Sequence, residues 1–335
     1  MAKPLSIEDL LDKDDSVISL ESLSGVPHGI QQFYPIPVCH NTCLNVIDLT
    51  FHHIISRHDG MPELVSTDPG VYSVCPFDIG FPRAGCRMGD RLFIYTALRH
   101  REQPEGDVRT SLPAKLLIYT IESDSWEEKT EGVPRDISLY KFLEPYADRL
   151  FLVSYLDSGC DVALVYPDAP QSIKKRWELT LPDTLMADEV APRLYVSRFT
   201  TDDAFHILLT RRLRGQRQFK HFVYDPEREW QETEIPLRHP NCAFSIWVAS
   251  DHLKVSIGYF RHRTTRLVAF NDIGQDWIEL RATSFIWGVR CQLSPTKYLV
   301  VMMDFVTGSK KWYILHLDHS YIHRQGGVLS AEDFE

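Results

Sequence analysis

The sequence lacks long apolar runs, since no stretch approaches the roughly 18 uninterrupted apolar residues that a membrane helix needs. Its first residues, Met-Ala-Lys-Pro-Leu-Ser, contain no apolar core of a signal peptide. No Asn-x-Ser/Thr sequon occurs, and the seven cysteines are odd in number and mostly scattered, unlike the paired framework of exported domains. We therefore expect a soluble intracellular protein, in the cytoplasm or the nucleus, with reduced thiols and no membrane partner.

Positive charge is also in short supply. The 36 Lys and Arg residues face 46 Asp and Glu residues, which leaves a formal net charge of −10. This overall sign excludes a protein that coats nucleic acid or anionic lipid through its net charge. Any anion-binding site must therefore be a local patch.

Recognisable catalytic motifs are absent as well. The sequence has no phosphate-binding glycine-rich loop, dinucleotide fingerprint, nucleophile elbow or His-Glu-x-x-His, and no Asp-box of propeller sialidases. Cys39 and Cys43 flank His40 in a ligand-like group, but no second matched pair follows it. We expect no metal, no cofactor and no catalytic residue.

A repeat is present in the middle and at the end of the chain. Four tryptophans, Trp126, Trp177, Trp230 and Trp277, follow one another at intervals of 47 to 53 residues. Tyr321 is a candidate for a fifth copy. Tandem units of this length are typical of β-propeller blades. We expect these tryptophans to fill the space between blades rather than to bind a ligand.

Each unit contains strand-like runs before its tryptophan. A polar pair precedes an apolar run, as at 90–95, 148–153, 203–208, 251–256 and 296–301, and another run follows it, as at 116–121, 162–166, 219–224, 266–270 and 312–317. Further runs at 193–198, 243–248 and 287–293 supply the remaining strand. Four short strands per unit predict an all-β propeller of six four-stranded blades, with five or seven left open. The candidates for an additional N-terminal blade are 44–51 and 71–77.

The aromatic spacing resembles that of kelch repeats over about residues 85–325. Tyr224 and Trp230 have the spacing of the paired aromatics of that family; the pairs Tyr119–Trp126 and Phe270–Trp277 are one residue longer, and Tyr166–Trp177 is longer still. The double glycine of kelch repeats is missing throughout. The resemblance implies a divergent kelch-type propeller that acts as a protein-interaction scaffold or adaptor.

Positive residues concentrate in the predicted connections between second and third strands of two adjacent units. Loops at this position emerge on one face of a propeller, so they are expected to form a basic patch. The patch could be a solvated loop, a site for an acidic or phosphorylated protein segment, or, less favoured, a site for nucleic acid. Its predicted members are Arg211, Arg212, Arg214, Arg217, Lys220, Arg261, Arg263 and Arg266.

The two ends read as tails around a propeller at 26–325. Residues 1–25 are rich in acids and are predicted to be a flexible tail, and residues 326–335 a frayed end. Ile7, Leu10 and Leu11 form a short apolar stripe at helical spacing. This stripe predicts either a docking peptide for another protein or a solvated terminus.

These observations together favour a non-enzymatic interaction scaffold that binds a partner protein through propeller-face loops. Two alternatives stay open. One is an enzyme whose active site lies in the axial funnel of the propeller, where residues distant in sequence converge. The other is an RNA-binding platform on the basic patch.

Overall fold

The computed structural model describes residues 18–27, 33–68, 70–97, 113–135, 141–156, 159–167, 175–178, 194–200, 204–213, 216–233, 246–250, 253–257, 265–271, 276–283, 285–294, 296–304 and 309–317, with the single positions 7 and 11. Within these residues the chain forms six four-stranded antiparallel sheets. Five of the sheets are meanders of four consecutive strands. The protein is an all-β β-propeller with four-stranded blades, as the repeat predicts.

Three blades come from the first half of the chain. The first contains β2 (Pro35–Cys39), β3 (Thr42–Asn45), β4 (Thr50–Ser56) and β5 (Pro62–Ser66). The second contains β6 (Phe81–Met88), β7 (Arg91–Ala97), β8 (Ala114–Thr120) and β9 (Ser125–Lys129). The third contains β10 (Lys141–Tyr146), β11 (Arg149–Tyr155), β12 (Gly159–Tyr166) and β13 (Lys175–Glu178).

Three more blades follow. The fourth contains β14 (Leu194–Thr200), β15 (Phe205–Leu213), β16 (Gln216–Asp225) and β17 (Glu229–Thr233). The fifth contains β18 (Ile246–Ser250), β19 (Leu253–Ile257), β20 (Thr265–Asn271) and β21 (Asp276–Thr283). The sixth contains β22 (Phe285–Ser294), β23 (Lys297–Asp304), β24 (Lys310–Leu317) and β1 (Ile18–Ser22).

The chain divides into two compact units. One comprises Met1–Ser24, Ser56–Glu63 and Leu181–Glu335, and the other comprises Gly25–Ile55 and Leu64–Thr180. The second unit contains the inter-blade cores that are described most fully. Among the described residues no helix is long and apolar enough to span a membrane.

The N-terminal strand β1 corrects the predicted tail. Ile18–Ser22 lies within the segment 1–25 that we expected to be flexible, yet it pairs antiparallel with β24, from Ile18 opposite Leu317 to Ser22 opposite Tyr313. Leu20 is 1% exposed, so the strand contributes to the core of the sixth blade. This strand was missed because it is short, and only two of its residues are apolar. In the rest of the segment, Ile7 and Leu11 are helical and half-buried, whereas Leu10 lies outside the described residues.

Alternate residues on each strand cover opposite faces of the second blade. Leu92, Ile94, Leu117 and Tyr119 pack with the first blade, in a cluster that includes Ile36, Val38, Leu44, Val46, Leu49 and Phe51. Phe93, Tyr95, Leu116 and Ile118 pack with Leu143, Leu150, Leu152 and Val165 of the third blade. Because a strand presents its residues to the two faces in turn, both faces are covered by a neighbouring sheet.

Each of the four repeated tryptophans lies in the last strand of its blade. Three lie opposite an aromatic of the preceding strand, as in the pairs Tyr119–Trp126, Tyr224–Trp230 and Phe270–Trp277. Trp177 instead lies opposite Cys160. Trp126 packs against the cluster between the first two blades, with its ring 4.9 Å from that of Tyr119. For Trp126 the structure therefore matches the expected role of filling the space between blades.

The predicted strand at 71–77 is wrong. These residues form an irregular connection between the first two blades, in which Tyr72, Cys75 and Phe77 pack against the inter-blade cluster. The Asp124 carboxylate accepts hydrogen bonds from the Ser73 amide at 2.7 Å and from the Tyr119 hydroxyl at 2.6 Å. The Ser73 contacts and that of Tyr119 lower the pKa of Asp124. The apolar residues of this segment therefore pack against the core. The Ser73 amide donates to the Asp124 carboxylate instead of pairing with a neighbouring strand.

Truncating Leu20 tests the role of β1. Leu20→Ala removes a fully buried side chain from the sixth blade, and we expect a loss of about 3 kcal/mol in the free energy of unfolding measured by urea denaturation. Ser19→Ala, on the neighbouring half-buried position, is the matched control and should change that free energy by less than about 1 kcal/mol. Equal effects of the two substitutions would contradict a core role for Leu20.

Candidate functional site

The hairpin of β15 and β16 is the most charged element that the sequence singled out. Its pairing runs from Phe205 opposite Tyr224 to Leu213 opposite Gln216. Within the described residues, β14 pairs with β15 only as far as Arg211, and β17 pairs with β16 only from His221 onward. Among the residues that the structure describes, 212–213 and 216–220 therefore pair only within the hairpin. We call residues 211–213 and 216–218 the cationic ribbon.

The register of the cationic ribbon places two arginine positions directly opposite each other. Arg212 lies directly opposite Arg217, and Arg211 lies opposite Gln218. Like charges at directly opposed positions destabilise a ladder, and an isolated two-stranded ribbon is at best marginally stable. A local concentration of positive charge attracts anions.

The predicted basic residues do not all lie in loops. Arg211 and Arg212 belong to β15, Arg217 and Lys220 to β16, and Arg266 to β20 opposite Ala282. The hairpin strands are simply longer than the sequence runs suggested. Lys310 and Lys311, at the start of β24, are exposed. Arg214, Arg261 and Arg263 lie outside the described residues.

Lys220 already has a partner within its own blade. Its ammonium lies 3.4 Å from a carboxylate oxygen of Glu232. The same pair recurs in the second blade, where Lys115 lies 2.6 Å from Glu128. In both blades the lysine stands four residues before the tyrosine that faces the tryptophan, and the glutamate stands two residues after the tryptophan. Lys220 therefore reads as part of a repeated structural ion pair between the third and fourth strands.

A row of polar residues crosses the third blade and was missed by the sequence reasoning. Lys141 lies opposite Ser154, Ser154 opposite Asp161, and Asp161 opposite Arg176, so the four residues share one face. Both guanidinium contacts of Arg176 to Asp161 are short, at 2.6 and 2.8 Å. The Lys141 ammonium lies 5.9 Å from the centre of the Tyr95 ring in the second blade. Cross-strand register was the missing signal, because the four residues are far apart in sequence.

Two histidines lie against each other in the fourth blade. The Nδ1 atom of His206 and the Nε2 atom of His221 are 3.0 Å apart, and the two rings stack with centres 5.2 Å apart. Burial lowers the pKa of His221 to about 4. A neutral imidazole at this position suits the apolar interior of the blade.

The Cys39–His40–Cys43 group does not assemble. Cys39 is exposed at the end of β2, whereas Cys43 is fully buried in β3, where burial raises its pKa to about 12. Among the described residues, no three His, Cys, Asp or Glu side chains are placed to hold a metal ion.

Comparison with known proteins gives distant structural likeness. No protein-family model and no curated protein matches the chain. It is similar to an oligogalacturonate lyase in complex with manganese, at 14% identity and TM-score 0.43, covering 84% of this chain and 77% of that one. A Vibrio parahaemolyticus oligogalacturonate lyase matches at 14% identity and TM-score 0.42, over 84% and 78% of the two chains. A family 117 glycoside hydrolase from Zobellia galactanivorans matches at 9% identity and TM-score 0.36, over 94% and 95%.

The expectation of a non-enzymatic scaffold or adaptor is wrong on this comparison, because the similar structures include lyases and a glycoside hydrolase. The expectation rested on the resemblance to kelch repeats and on the missing motifs. Active-site residues of a propeller come from different strands, so no contiguous motif is needed. At these TM-scores no substrate, metal or catalytic residue is transferred to this chain.

The two lysine–glutamate pairs make a matched experiment. Lys115 has a side chain 5% exposed and Glu128 one 30% exposed, against 37% and 56% for Lys220 and Glu232. Glu128→Gln leaves a buried ammonium without its carboxylate, and should lower the free energy of unfolding by about 2 kcal/mol. Glu232→Gln should cost less than about 1 kcal/mol, because water screens the exposed pair. Equal costs would show that burial does not govern these pairs.

His221 predicts a specific pH dependence of stability. Its pKa in the folded state is about 4, below the ordinary value of 6.5, so the unfolded chain binds the proton more readily. The contribution is fully present above pH 6.5 and is lost as the pH falls toward 4, by about 3 kcal/mol. The free energy of unfolding of His221→Leu, measured by urea denaturation, should change less between pH 6.5 and pH 4 than that of the wild type. An unchanged slope would mean that other groups carry the dependence.

Proposed function

We propose that this β-propeller is an enzyme that acts on an anionic substrate, and that the cationic ribbon helps to bind that substrate. The single observation that carries the proposal is the direct opposition of Arg212 and Arg217 at the end of the β15–β16 ribbon. Opposed like charges are costly in the absence of a ligand, and a bound anion offsets that cost.

Charge distribution supports the same reading. The chain has a net charge of −10, so it repels anions at long range except near a local positive patch. A concentrated group of arginines directs an anionic substrate to one place on the surface. Guanidinium groups also bind carboxylates and phosphates through paired hydrogen bonds, which adds orientation to attraction.

Two finer features belong to this proposal. The kelch-type subclass is supported by the pairs Tyr119–Trp126 and Tyr224–Trp230. In each pair, the two aromatics whose spacing resembles kelch repeats lie opposite each other on the third and fourth strands of one blade. An intracellular location is supported by the thiols, because Cys39, Cys43, Cys75 and Cys160 are free.

Charge reversal on the ribbon tests substrate binding. The double variant Arg212→Glu with Arg217→Glu should weaken binding of oligogalacturonate, a carboxylated oligosaccharide named for two of the similar structures, by about tenfold or more in fluorescence anisotropy. Arg228→Glu is the matched control, because Arg228 is exposed in the turn between β16 and β17 at the opposite end of the same blade. The control should change affinity by less than about twofold.

Further arms separate the alternatives. A neutral oligosaccharide of equal length should not bind, and wild-type affinity for the anionic one should fall steeply with added salt. If turnover of the anionic substrate is detected, the double variant should raise KM with little change in kcat. Binding of single-stranded RNA without turnover of any anionic saccharide would favour a nucleic-acid platform instead. Equal effects of Arg228→Glu and the double variant on affinity would contradict a role of the cationic ribbon in substrate binding.

A further inference from the structure

A row of reactive side chains crosses the first three strands of the first blade, next to the turn between β2 and β3. Cys39 lies opposite Thr42, and Thr42 lies opposite His53, so the three residues share one face of the sheet. Thr42 is 3% exposed, and its hydroxyl lies 2.8 Å from Nδ1 of His53. The row therefore places an exposed thiol, a buried hydroxyl and a half-buried imidazole side by side.

Tyr72, in the connection between the first two blades, lies against this row. Its ring stacks on that of Phe51, with centres 4.2 Å apart, and its centre is 6.2 Å from that of the His53 ring. Burial raises the pKa of Tyr72, as do the charge of Cys39 and a hydrogen bond with its thiol, whereas a hydrogen bond with the Thr42 hydroxyl lowers it. The four side chains therefore meet at one place. We call Cys39, Tyr72, Thr42 and His53 the thiol cluster.

The residue after Tyr72 holds the phenol in this position. The Ser73 amide and hydroxyl donate to the Asp124 carboxylate at 2.7 and 2.8 Å. The indole Nε1 of Trp126 donates to the Ser73 carbonyl at 2.8 Å. These hydrogen bonds tie the connection to the turn between β8 and β9. The phenol is therefore preorganised against the thiol, and the negative charge of Asp124 is engaged by its own donors.

A cation lies beside the thiol cluster. Arg87 of the second blade donates from Nη1 to the carbonyl of Val38, the residue before Cys39, and from Nε to the carbonyl of Gly89 at 2.8 Å. Both acceptors are neutral, and Arg87 belongs to none of the ion pairs formed among the described residues. Its positive charge therefore favours an anionic group that approaches Cys39.

The thiol cluster offers a route for the thiol proton. A thiolate rather than a thiol is the nucleophile, so a reactive cysteine needs a place for its proton. In the tautomer of His53 that carries its proton on Nε2, Nδ1 accepts from the Thr42 hydroxyl. The hydroxyls of Thr42 and Tyr72 then connect this nitrogen to the sulfur. The competing acceptor of the thiol, the carbonyl of exposed His40, is weak and lies 3.8 Å away.

We propose that Cys39 is a site of covalent modification by small disulfides that carry carboxylates, and that Tyr72 and His53 are positioning residues for its thiol. The thiol proton passes through the hydroxyls of the thiol cluster to Nδ1 of His53. The thiolate attacks one sulfur of the small disulfide, so an S–S bond forms to Cys39 and the S–S bond of the small molecule breaks. The other half leaves as a thiolate and takes up the proton, so the exchange needs no further oxidant.

Glutathione disulfide, which carries carboxylates, is the probe for this site. Intact-mass measurement of the whole protein at about pH 7 should show one fast addition of a glutathionyl group, and Cys39→Ser should abolish it. Cys75→Ser, which removes a half-buried thiol, is the control and should keep the fast addition. A fast addition that survives Cys39→Ser, or no addition to the wild type, would overturn the proposal.

Arg87→Gln separates charge from structure. It should slow the reaction with glutathione disulfide about threefold and leave the rate with the neutral disulfide of mercaptoethanol almost unchanged. Arg57→Gln removes the same charge from an exposed arginine that pairs with Glu63, and it should change neither rate. Equal slowing of both reactions by Arg87→Gln would overturn the preference for anionic disulfides.

Tyr72→Phe and His53→Gln test the positioning roles. Each should slow the reaction with both disulfides about fivefold at about pH 7, and the double variant should be no slower, because the two residues act in one series. At about pH 10 the thiol ionises without assistance, so the rates should converge with that of the wild type. Tyr34→Phe is the control, because the Tyr34 hydroxyl donates to the Gly85 carbonyl instead.

The outcomes of these rate measurements are distinct. Wild-type rates for both Tyr72→Phe and His53→Gln at about pH 7, or slowing that persists at about pH 10, would overturn the positioning roles. Unfolding midpoints in urea establish that each variant folds, and if Tyr72→Phe does not fold, His53→Gln still decides the matter. The thiol cluster shares no residue with the cationic ribbon and does not rest on the proposed enzymatic function, so failure here leaves the ribbon experiment unaffected.

Discussion

The constraint behind the architecture is that a four-stranded sheet has two faces and can cover neither by itself. In the unit that contains the first three blades, the second blade shows the solution: residues such as Leu92 and Ile94 pack toward the first blade, while Phe93 and Tyr95 pack toward the third. Burial of both faces requires apolar residues at successive positions rather than in alternation. The second and third strands of these blades therefore appear in the sequence as continuous apolar runs.

Charge is placed where this packing ends. Two ion pairs each join the third and fourth strands of a single blade. Lys115 pairs with Glu128 in the second blade, and Asp161 pairs with Arg176 in the third. Pairing within a blade lets a buried charge keep its hydrogen bonds while the apolar layers stay dry. The cationic ribbon differs, because its register places Arg212 directly opposite Arg217. This difference between satisfied and opposed charges is why the ribbon, rather than the ion pairs, is the candidate site.

Function proved harder to infer than architecture. The missing motifs led to the expectation of a scaffold, yet propeller sites draw residues from several blades and leave no local signature. The polar row from Lys141 to Arg176 illustrates the reason, since its four members meet only through strand register. The same holds for Cys39 and Tyr72, since one ends β2 and the other lies in the connection between the first two blades. No spacing in the sequence connects these residues.

The sequence by itself indicated a propeller of four-stranded blades, with six blades favoured and five or seven left open, and it indicated the second and third strands of the tandem repeat. The reason is that short apolar runs recur together with regularly spaced tryptophans. It did not reveal β2 or β5, whose prolines disguise short strands, nor β1, whose two apolar residues acquire meaning only beside β24. Tertiary structure also decided that 71–77 would pack as an irregular connection and that Lys220 would pair with Glu232. These outcomes depend on neighbours distant in the chain, and local pattern carries no information about them.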